Sequence, residues 1–171
     1  MDTGIFWAKL NDLITAHKWH ARGIRKIISG GQTGADIGGL VAGKLLGLKT
    51  GGTAPKGWIT EDGPNYLLGF MYGLSEGPPG YRERTKINIA DSDATLILGN
   101  VNSPGSKLTL ETCEEQGKLY LVNPEPLELT AWLENYDIRV LNVAGNRESK
   151  NPGIGVRTIQ LLSQALKKED K

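Results

Sequence analysis

The stretch SGGQTGAD, at 29–36, limits the fold of this chain more than any other part of the sequence. It follows a short apolar run at 26–28 and precedes apolar residues at helical spacing. Gly30, Gly31 and Gly34 allow the backbone to turn tightly and to approach another group closely. A strand that leads through such a turn into a helix directs the free amides of the helix N-terminus toward one point, which favours an anion. The stretch therefore predicts a strand–turn–helix unit that carries half of a ligand site.

The glycines at 30–34, here called the glycine turn, follow neither of the common nucleotide-binding patterns. The turn reads Gly30-Gly31-Gln32-Thr33-Gly34, which is neither GxGxxG nor GxxxxGK[ST], so an ATP-hydrolysing P-loop is disfavoured. A phosphate or similar oxyanion bound by the backbone amides stays open, with added hydrogen bonds from the side chains of Gln32 and Thr33. The alternative is a tight turn whose glycines serve packing alone.

Apolar periodicity and turn residues predict an alternation of strands and helices. Strands are predicted at 25–29, 48–53, 94–98, 119–122 and 138–143. Helices are predicted at 3–18, at 36–46, from the polar loop 100–107 to 116, from the prolines at 124 and 126 onward, and at 152–166. Segments 54–69 and 73–80 are predicted to be irregular, and 81–89 is either helical or extended. Five strands that alternate with helices indicate an α/β fold with a mostly parallel sheet and helices on both faces.

Composition and charge favour an ordinary globular protein. The chain has 171 residues, of which 39% are hydrophobic and 23% charged, so we expect a single domain over 1–171 with an added N-terminal helix at 1–20. A net charge of +1 argues against a dedicated nucleic-acid or membrane-surface protein. The lone Cys113 excludes an internal disulfide and fits a reducing compartment. Because the sequence has neither a membrane-spanning apolar run nor a signal-peptide pattern, it predicts a cytoplasmic protein.

Metal ligands are sparse, and no structural metal is expected. His17 and His20 are the only histidines, and neither a cysteine nor a carboxylate accompanies them. Asp91 and Asp93 have a spacing that suits a hard cation. They precede a predicted strand, however, and so lie at the opposite end of that strand from a ligand site. A role in turning the chain into the strand is favoured.

The loops after the predicted strands are polar and rich in glycine. They read SGGQTG after the first strand, TAPKG after the second, GNVNSPGS after the third and NVAGNRESK after the fifth. In a parallel sheet these loops meet at the carboxyl ends of the strands, where ligands bind. The candidate anion partners are Lys56, Arg84 and Arg147. The acid/base candidates in these loops are Glu61, Asp62 and Glu148.

Five segments together resemble a known family. They are SGGQTGAD at 29–36, APKGWITEDGP at 54–64, RTKINIADSDATLIL at 84–98, SKLTLE at 106–111 and LNVAGNRESKNPGI at 141–154. The combination is similar to the molybdenum carrier family, which is related to the molybdenum cofactor carrier protein. That family belongs to a Rossmann-like group with the lysine-decarboxylase-like phosphoribohydrolases and the DNA-processing protein A fold. The resemblance covers about 25–165, omits 1–20, and implies a Rossmann-like three-layer sandwich with a sheet of about five or more strands.

The resemblance also implies a ligand, an assembly and a set of site residues. Carrier-like members hold the molybdopterin cofactor or a related anion, and the fold group is commonly oligomeric, which implies a homodimer or homotetramer. The implied anion site uses Gly30, Gly31, Gln32, Thr33 and Gly34, with Gly105, Ser106 and Thr109 opposite them. The further site residues implied are Lys56, Asp62, Arg84, Asn142, Arg147, Glu148 and Ser149.

One departure from the phosphoribohydrolases bears on catalysis. Those enzymes carry PGGxGTxxE, in which the Glu assists cleavage of the N-glycosidic bond, whereas this chain reads PGSKLTLET at 104–112. Thr112 occupies the position of that Glu, and Glu111 is one residue early, which turns it about 100° around a helix. The sequence therefore favours a protein that binds a nucleotide or the molybdenum cofactor. The alternative is a different nucleotide-directed enzyme that uses Glu61, Asp62 or Glu148, and single-stranded DNA binding is disfavoured by the charge.

Overall fold

The computed structural model describes residues 23–167, so the predicted N-terminal helix lies outside the described residues. The central sheet has five parallel strands: β1 (Lys26–Ile28), β2 (Lys49–Gly51), β7 (Ala94–Leu98), β8 (Leu119–Val122) and β9 (Val140–Gly145). Four shorter strands lie outside it: β3 (Thr53–Ala54), β4 (Ile59–Thr60), β5 (Gly63–Pro64) and β6 (Ser75–Glu76). The helices are α1 (Ala35–Leu45), α2 (Leu67–Tyr72), α3 (Tyr81–Ala90), α4 (Pro104–Glu115), α5 (Pro126–Asn135) and α6 (Ile154–Leu166). The predicted α/β class and parallel sheet are confirmed.

The strand order of the central sheet, β2-β1-β9-β7-β8, brings distant segments of the chain together. β9 lies between β1 and β7, so Asn142 is level with Ile28 on one side and with Thr95 on the other. The connections from β1 to β2 and from β7 to β8 run in opposite directions, and right-handed crossovers therefore place α1 and α4 on opposite faces. Where strand order reverses in this way, a crevice opens at the carboxyl ends of the strands.

Apolar side chains fill the space between the sheet and its helices. All five residues of β7 are buried, as expected for a parallel strand that is covered on both faces. α1 packs against α6, and α3 packs against α4. Gly39 lets α1 approach the sheet closely, because a Cβ there would lie 2.7 Å from the Cβ of Val143. Among the helices of residues 23–167, none is long and apolar enough to span a membrane.

The prediction of an irregular segment over 54–69 is wrong. After a 3-10 turn (Lys56–Trp58), β4 and β5 form an antiparallel hairpin, and α2 follows. Segment 73–80 is also partly regular, because β6 pairs with β3 in parallel. We call residues 53–76 the lobe. Its buried Leu68 and Leu74 pack in one cluster with Leu40 of α1, a pattern that the many glycines and prolines of the segment obscured.

The predicted strand 48–53 is divided at Gly52 into β2 and β3. Gly52 has a φ of +119°, and a Cβ on it would overlap the carbonyl oxygen of Ser29 and lie 2.9 Å from the Ser29 amide nitrogen. Glycine alone fits both this conformation and this approach. The close backbone approach predicted from the glycines here is confirmed, and it is made with the residue directly before the glycine turn.

Substitution of Gly52 by alanine should destabilise the fold. The positive φ and the overlap with Ser29 should together lower the free energy of unfolding by about 3 kcal/mol. Urea denaturation followed by circular dichroism measures this change. Gly105→Ala is the matched control, since no atom lies within 4 Å of a Cβ there; it should leave the free energy of unfolding unchanged or raise it by up to about 1 kcal/mol. Equal losses in the two variants would contradict this explanation.

Candidate functional site

A cavity of about 330 Å³ opens at the carboxyl ends of the central strands. Its wall combines the glycine turn, one face of α3, the N-terminus of α4 and the end of β9. The lining residues are Gly30, Gln32, Asp36, Tyr81, Arg84, Thr85, Asn88, Pro104, Gly105, Ser106, Leu108, Thr109, Asn142, Ala144, Gly145 and Arg147. This is the position that the strand order favours for a ligand site.

The cavity gathers a part of the predicted site. The predicted residues that line it are Gly30, Gln32, Arg84, Gly105, Ser106, Thr109, Asn142 and Arg147. Those that do not line it are Gly31, Thr33, Gly34, Lys56, Glu148 and Ser149, and the acid/base candidates Glu61 and Asp62 also lie outside. Lys56 is exposed, because the chain leaves the central sheet at Gly52 and carries this lysine into the lobe.

One face of α3 supplies four lining residues, of which only Arg84 was predicted. Tyr81, Arg84, Thr85 and Asn88 stand at positions i, i+3, i+4 and i+7, which is the spacing of one helix face. That spacing is the sequence signal for them, but it has meaning only if the segment is helical, a choice that the sequence left open. The Asn88 side chain also bonds the amide and carbonyl of Thr53, at 2.8 and 3.0 Å, and so ties α3 to the lobe.

Three amides of the glycine turn bind groups of the chain itself. The Gly31 amide donates to Ser29 Oγ (3.2 Å), the Gln32 amide to Asp36 Oδ2 (3.2 Å) and the Thr33 amide to Gln32 Oε1 (3.0 Å). The carboxylate of Asp36 thus takes the place that the sequence predicted for a ligand anion. Because these donors are already paired, the turn does not present them to the cavity.

Gly31 and Gly34 serve packing, which was the alternative for this turn. A Cβ on Gly31 would lie 2.7 Å from Cδ1 of Leu68, and a Cβ on Gly34 would lie 2.7 Å from the amide nitrogen of Glu148. Both glycines have positive φ values, +75° and +80°. These two positions therefore join the turn to the lobe and to the loop after β9, which explains why neither lines the cavity.

A buried ion pair forms part of the cavity wall. Arg84 Nη1 lies 3.3 Å from Asp36 Oδ2, and the two side chains are 11% and 7% exposed. Gly30 makes room for the pair, because a Cβ there would overlap Nη1 of Arg84 and lie 2.9 Å from its Nε. Burial raises the pKa of the Asp36 carboxyl, against the opposing effects of the Arg84 charge and the Gln32 amide. Arg84 Nε is buried without an acceptor in residues 23–167, so one donor of this guanidinium is unused.

The second arginine of the cavity, Arg147, lies on an aromatic ring. Its Cζ is 5.3 Å from the centroid of the Tyr81 ring, and the Cζ of Arg84 is at the same distance. Arg147 makes no salt bridge with any carboxylate of the described residues. Such a guanidinium, placed against an aromatic ring and without a salt bridge to these carboxylates, is suited to bind a carboxylate or phosphate.

The N-terminus of α4 forms a further part of the wall. α4 begins at Pro104, inside the predicted loop 100–107, because proline is favoured at the first helical position and Ser103 Oγ accepts from the Ser106 amide at 3.3 Å. The Gly105 amide has no acceptor within residues 23–167. A free amide at the positive end of a helix favours an anion.

The acidic candidates bind the chain rather than face the cavity. Glu61, at the tip of the β4–β5 hairpin, accepts hydrogen bonds from the hydroxyl and amide of Ser149 and from the hydroxyl of Thr33. These bonds, that of the Ser149 hydroxyl foremost, hold the pKa of the Glu61 carboxyl below its usual range. Glu148 accepts from the Gly155 amide (3.1 Å) and so caps the start of α6. Both carboxylates therefore have structural roles.

The cavity lining includes neither Glu111 nor Thr112 of the motif at 104–112, and it does not include the acidic pair Asp91 and Asp93. Thr112 is buried, with its hydroxyl bonded to the Leu108 carbonyl (2.7 Å), whereas Glu111 is exposed and lies outside the cavity. Asp93 Oδ2 accepts from the amides of Arg139 (2.9 Å) and Val140 (2.8 Å), so it joins the start of β7 to the start of β9 rather than turning the chain locally. Within residues 23–167, no group of three His, Cys, Asp or Glu side chains is placed to hold a metal ion.

Fold and site together define a Rossmann-like α/β protein with a polar cavity at the carboxyl ends of a parallel sheet. The model of the circularly permutated YpsA SLOG family, cpYpsA, matches residues 27–166, so the chain belongs to that family. It is also similar to a crystal structure from Syntrophus aciditrophicus SB described as "Putative molybdenum carrier protein", with a TM-score of 0.77 and 36% identity over 85% of this chain and 97% of that chain. Among curated proteins, none matches the sequence. The resemblance to the molybdenum carrier family is confirmed.

The pH dependence of stability should reveal the buried carboxyl of Asp36. Because burial raises its pKa in the folded state, the neutral form contributes stability that is complete below the unfolded pKa of about 4 and is lost as pH rises toward the folded pKa. Relative to Asp36→Asn, the wild-type protein should therefore lose free energy of unfolding from about pH 4 upward and then reach a constant difference. Urea titrations at closely spaced pH values measure this difference. A difference that does not change with pH would contradict the raised pKa.

Gly30→Ala should break the ion pair between Asp36 and Arg84. The added methyl group would displace the guanidinium and leave a buried carboxylate without its partner, which should lower the free energy of unfolding by about 3 kcal/mol. In an Arg84→Ala background the same substitution should cost less than about 1 kcal/mol, because its steric partner is absent. Urea unfolding of the four proteins measures both costs. Equal costs in the two backgrounds would mean that Gly30 is required for another reason.

Proposed function

We propose that this protein binds a small anionic ligand that carries a phosphate or a related oxyanion, such as a nucleotide or the molybdenum cofactor. The observation that carries the proposal is the charge of the cavity wall. The wall includes the guanidinium groups of Arg84 and Arg147 and the free amide of Gly105, while its one carboxylate among the described residues, Asp36, is paired with Arg84. The wall therefore keeps an excess of positive charge in a concave site, which attracts an anion.

The uncharged part of such a ligand would meet amide and hydroxyl groups. Asn142 is buried in the middle of β9, where it donates to Thr95 Oγ1 (3.2 Å) and lines the cavity. Gln32, Ser106 and Thr109 add further polar side chains. Nucleobases and pterins both carry ring nitrogens and carbonyl groups, and amide and hydroxyl side chains can bond to either kind of group. The chemistry of the wall thus suits both ligand classes.

Binding without turnover is favoured over catalysis, because residues 23–167 place no free carboxylate in the cavity wall as a general base. Asp36 is ion-paired and amide-bonded, and the carboxylates of Glu61 and Glu148 are bound to the chain outside the cavity. The buried Thr112 stands where the phosphoribohydrolase motif has its Glu. Membership of the cpYpsA family and the similarity to a protein described as a molybdenum carrier support a carrier over a hydrolase.

A panel of ligands tests this proposal by thermal unfolding. The panel consists of molybdate, inorganic phosphate, adenosine 5′-monophosphate and adenosine. At least one of the three anions should raise Tm in a saturable way, whereas adenosine should not. At a hundredfold excess over its Kd, a bound anion should increase the free energy of unfolding by about 2.7 kcal/mol. Native mass spectrometry of the purified protein should show a retained anion and a dimer or tetramer. No effect of any anion would contradict the proposal, and release of adenine from the nucleotide would favour the hydrolase.

A pair of variants locates the binding in the cavity. Arg147→Ala should weaken binding of the anion that stabilises the wild-type protein by about tenfold or more, because a charge-assisted contact is lost. Isothermal titration calorimetry measures the affinity. Lys150→Ala is the matched control, since it removes a positive charge from the same loop but does not line the cavity; its affinity should stay within about twofold of the wild type. Equal losses in both variants would place the anion elsewhere.

A further inference from the structure

Tyr81, the first residue of α3, contacts both arginines of the cavity. Its ring centroid lies 5.3 Å from the Cζ of Arg84 and 5.3 Å from the Cζ of Arg147. The side chain is 39% exposed and lines the cavity. Neither the sequence motifs nor the proposed function assigns this tyrosine a role.

We propose that Tyr81 is a positioning residue that directs the guanidinium groups of Arg84 and Arg147 toward a bound anion, a role that rests on the proposed anion-binding function. A guanidinium that stacks on a ring keeps its N–H groups free for bidentate bonds to an oxyanion. Arg147 depends most on the ring, because no carboxylate of the described residues pairs with it, whereas Arg84 is also held by Asp36. Without the ring, Arg147 would sample many rotamers and lose more freedom when an anion binds.

The hydroxyl of Tyr81 adds one hydrogen bond to the contacts of its ring. It accepts a hydrogen bond from Gln32 Nε2 (3.3 Å), and Gln32 Oε1 in turn accepts from the amides of Thr33 (3.0 Å) and Glu61 (2.9 Å). The Gln32 side chain thus connects the ring to the glycine turn and to the tip of the β4–β5 hairpin. A ring anchored on two segments can orient the flexible arginine side chains beside it.

The ring contacts two positively charged groups, and two such groups suit a multiply charged anion. Asp36 balances Arg84 directly. The charge of Arg147 acts on Glu61 through space, but that carboxylate is bonded to Ser149 and makes no salt bridge with the arginine. A phosphate beside the two guanidinium groups would therefore meet Arg147, with which no carboxylate of residues 23–167 forms a salt bridge.

A double-mutant cycle with adenosine 5′-monophosphate as the probe tests the positioning role. Tyr81→Leu should weaken binding about tenfold, as measured by isothermal titration calorimetry. In an Arg147→Ala background the same change should lower the affinity by less than about threefold, because the ring affects binding through the arginine. Tyr81→Phe keeps the ring and should stay within about threefold of the wild type. A tenfold loss in both backgrounds would mean that Tyr81 contacts the ligand directly and would overturn the positioning role.

A second measurement needs no ligand and separates this inference from the proposed function. Tyr81→Leu should move the Nε–Hε nuclear magnetic resonance signals of Arg84 and Arg147, because the ring current disappears, while Tyr81→Phe should leave them near their wild-type positions. Tyr66→Leu is the control, since Tyr66 is 68% exposed and lies outside the cavity. Unmoved arginine signals in Tyr81→Leu would overturn the stack. Moved signals in a protein that binds none of the three anions (molybdate, inorganic phosphate and the nucleotide) would overturn the proposed function instead, and the positioning role with it.

Discussion

The Asp36 carboxylate accepts a hydrogen bond from the Gln32 amide at 3.2 Å and pairs with the Arg84 guanidinium at 3.3 Å, so it ties the glycine turn to α3. A buried carboxylate is costly unless it is paired and hydrogen-bonded, and here it has both kinds of partner. Gly30 is required by the same constraint, because any side chain there would occupy the space of the guanidinium. Since the Gly31, Gln32 and Thr33 amides of the turn bond to side chains of the protein itself, the positive groups of the cavity wall are those of the arginines and of the α4 N-terminus.

These groups meet because the last strand, β9, is inserted between β1 and β7. The loop after β9 carries Arg147, and the connection after β7 becomes α4, so residues far apart in the chain share one cavity. Glu61 connects the lobe to the loops at the carboxyl ends of the strands, because its carboxylate accepts hydrogen bonds from the hydroxyls of Thr33 and Ser149. The hydrogen bonds of Gln32 continue that connection to Tyr81. The cavity wall is thus one continuous network from the lobe to the arginines.

Much of this could be predicted from particular residues. The apolar run of β7 predicted a buried parallel strand. The family resemblance implied Gly105, Ser106 and Thr109 as site residues, and all three line the cavity. Charged loop residues were the main source of error. Glu148 caps α6, and Lys56 lies in the lobe outside the cavity. A charged residue in a loop near a ligand site can equally well bond to the protein itself or lie in solvent. Tyr81 was missed because its helical spacing has meaning only once α3 is known to be a helix.

The sequence by itself determined the alternation of strands and helices and the end of the sheet at which the polar loops gather. Both follow from neighbouring residues, since periodicity is local and parallel strands all present their carboxyl ends on the same side. Only the tertiary structure decided which polar groups are already paired. The donors that bind Glu61 come from residues 28 and 88 positions away in the chain. Hydrogen bonds depend on distances in space. Asp36 is therefore paired, and Arg147 is without a carboxylate partner among residues 23–167, only because of where the loops meet.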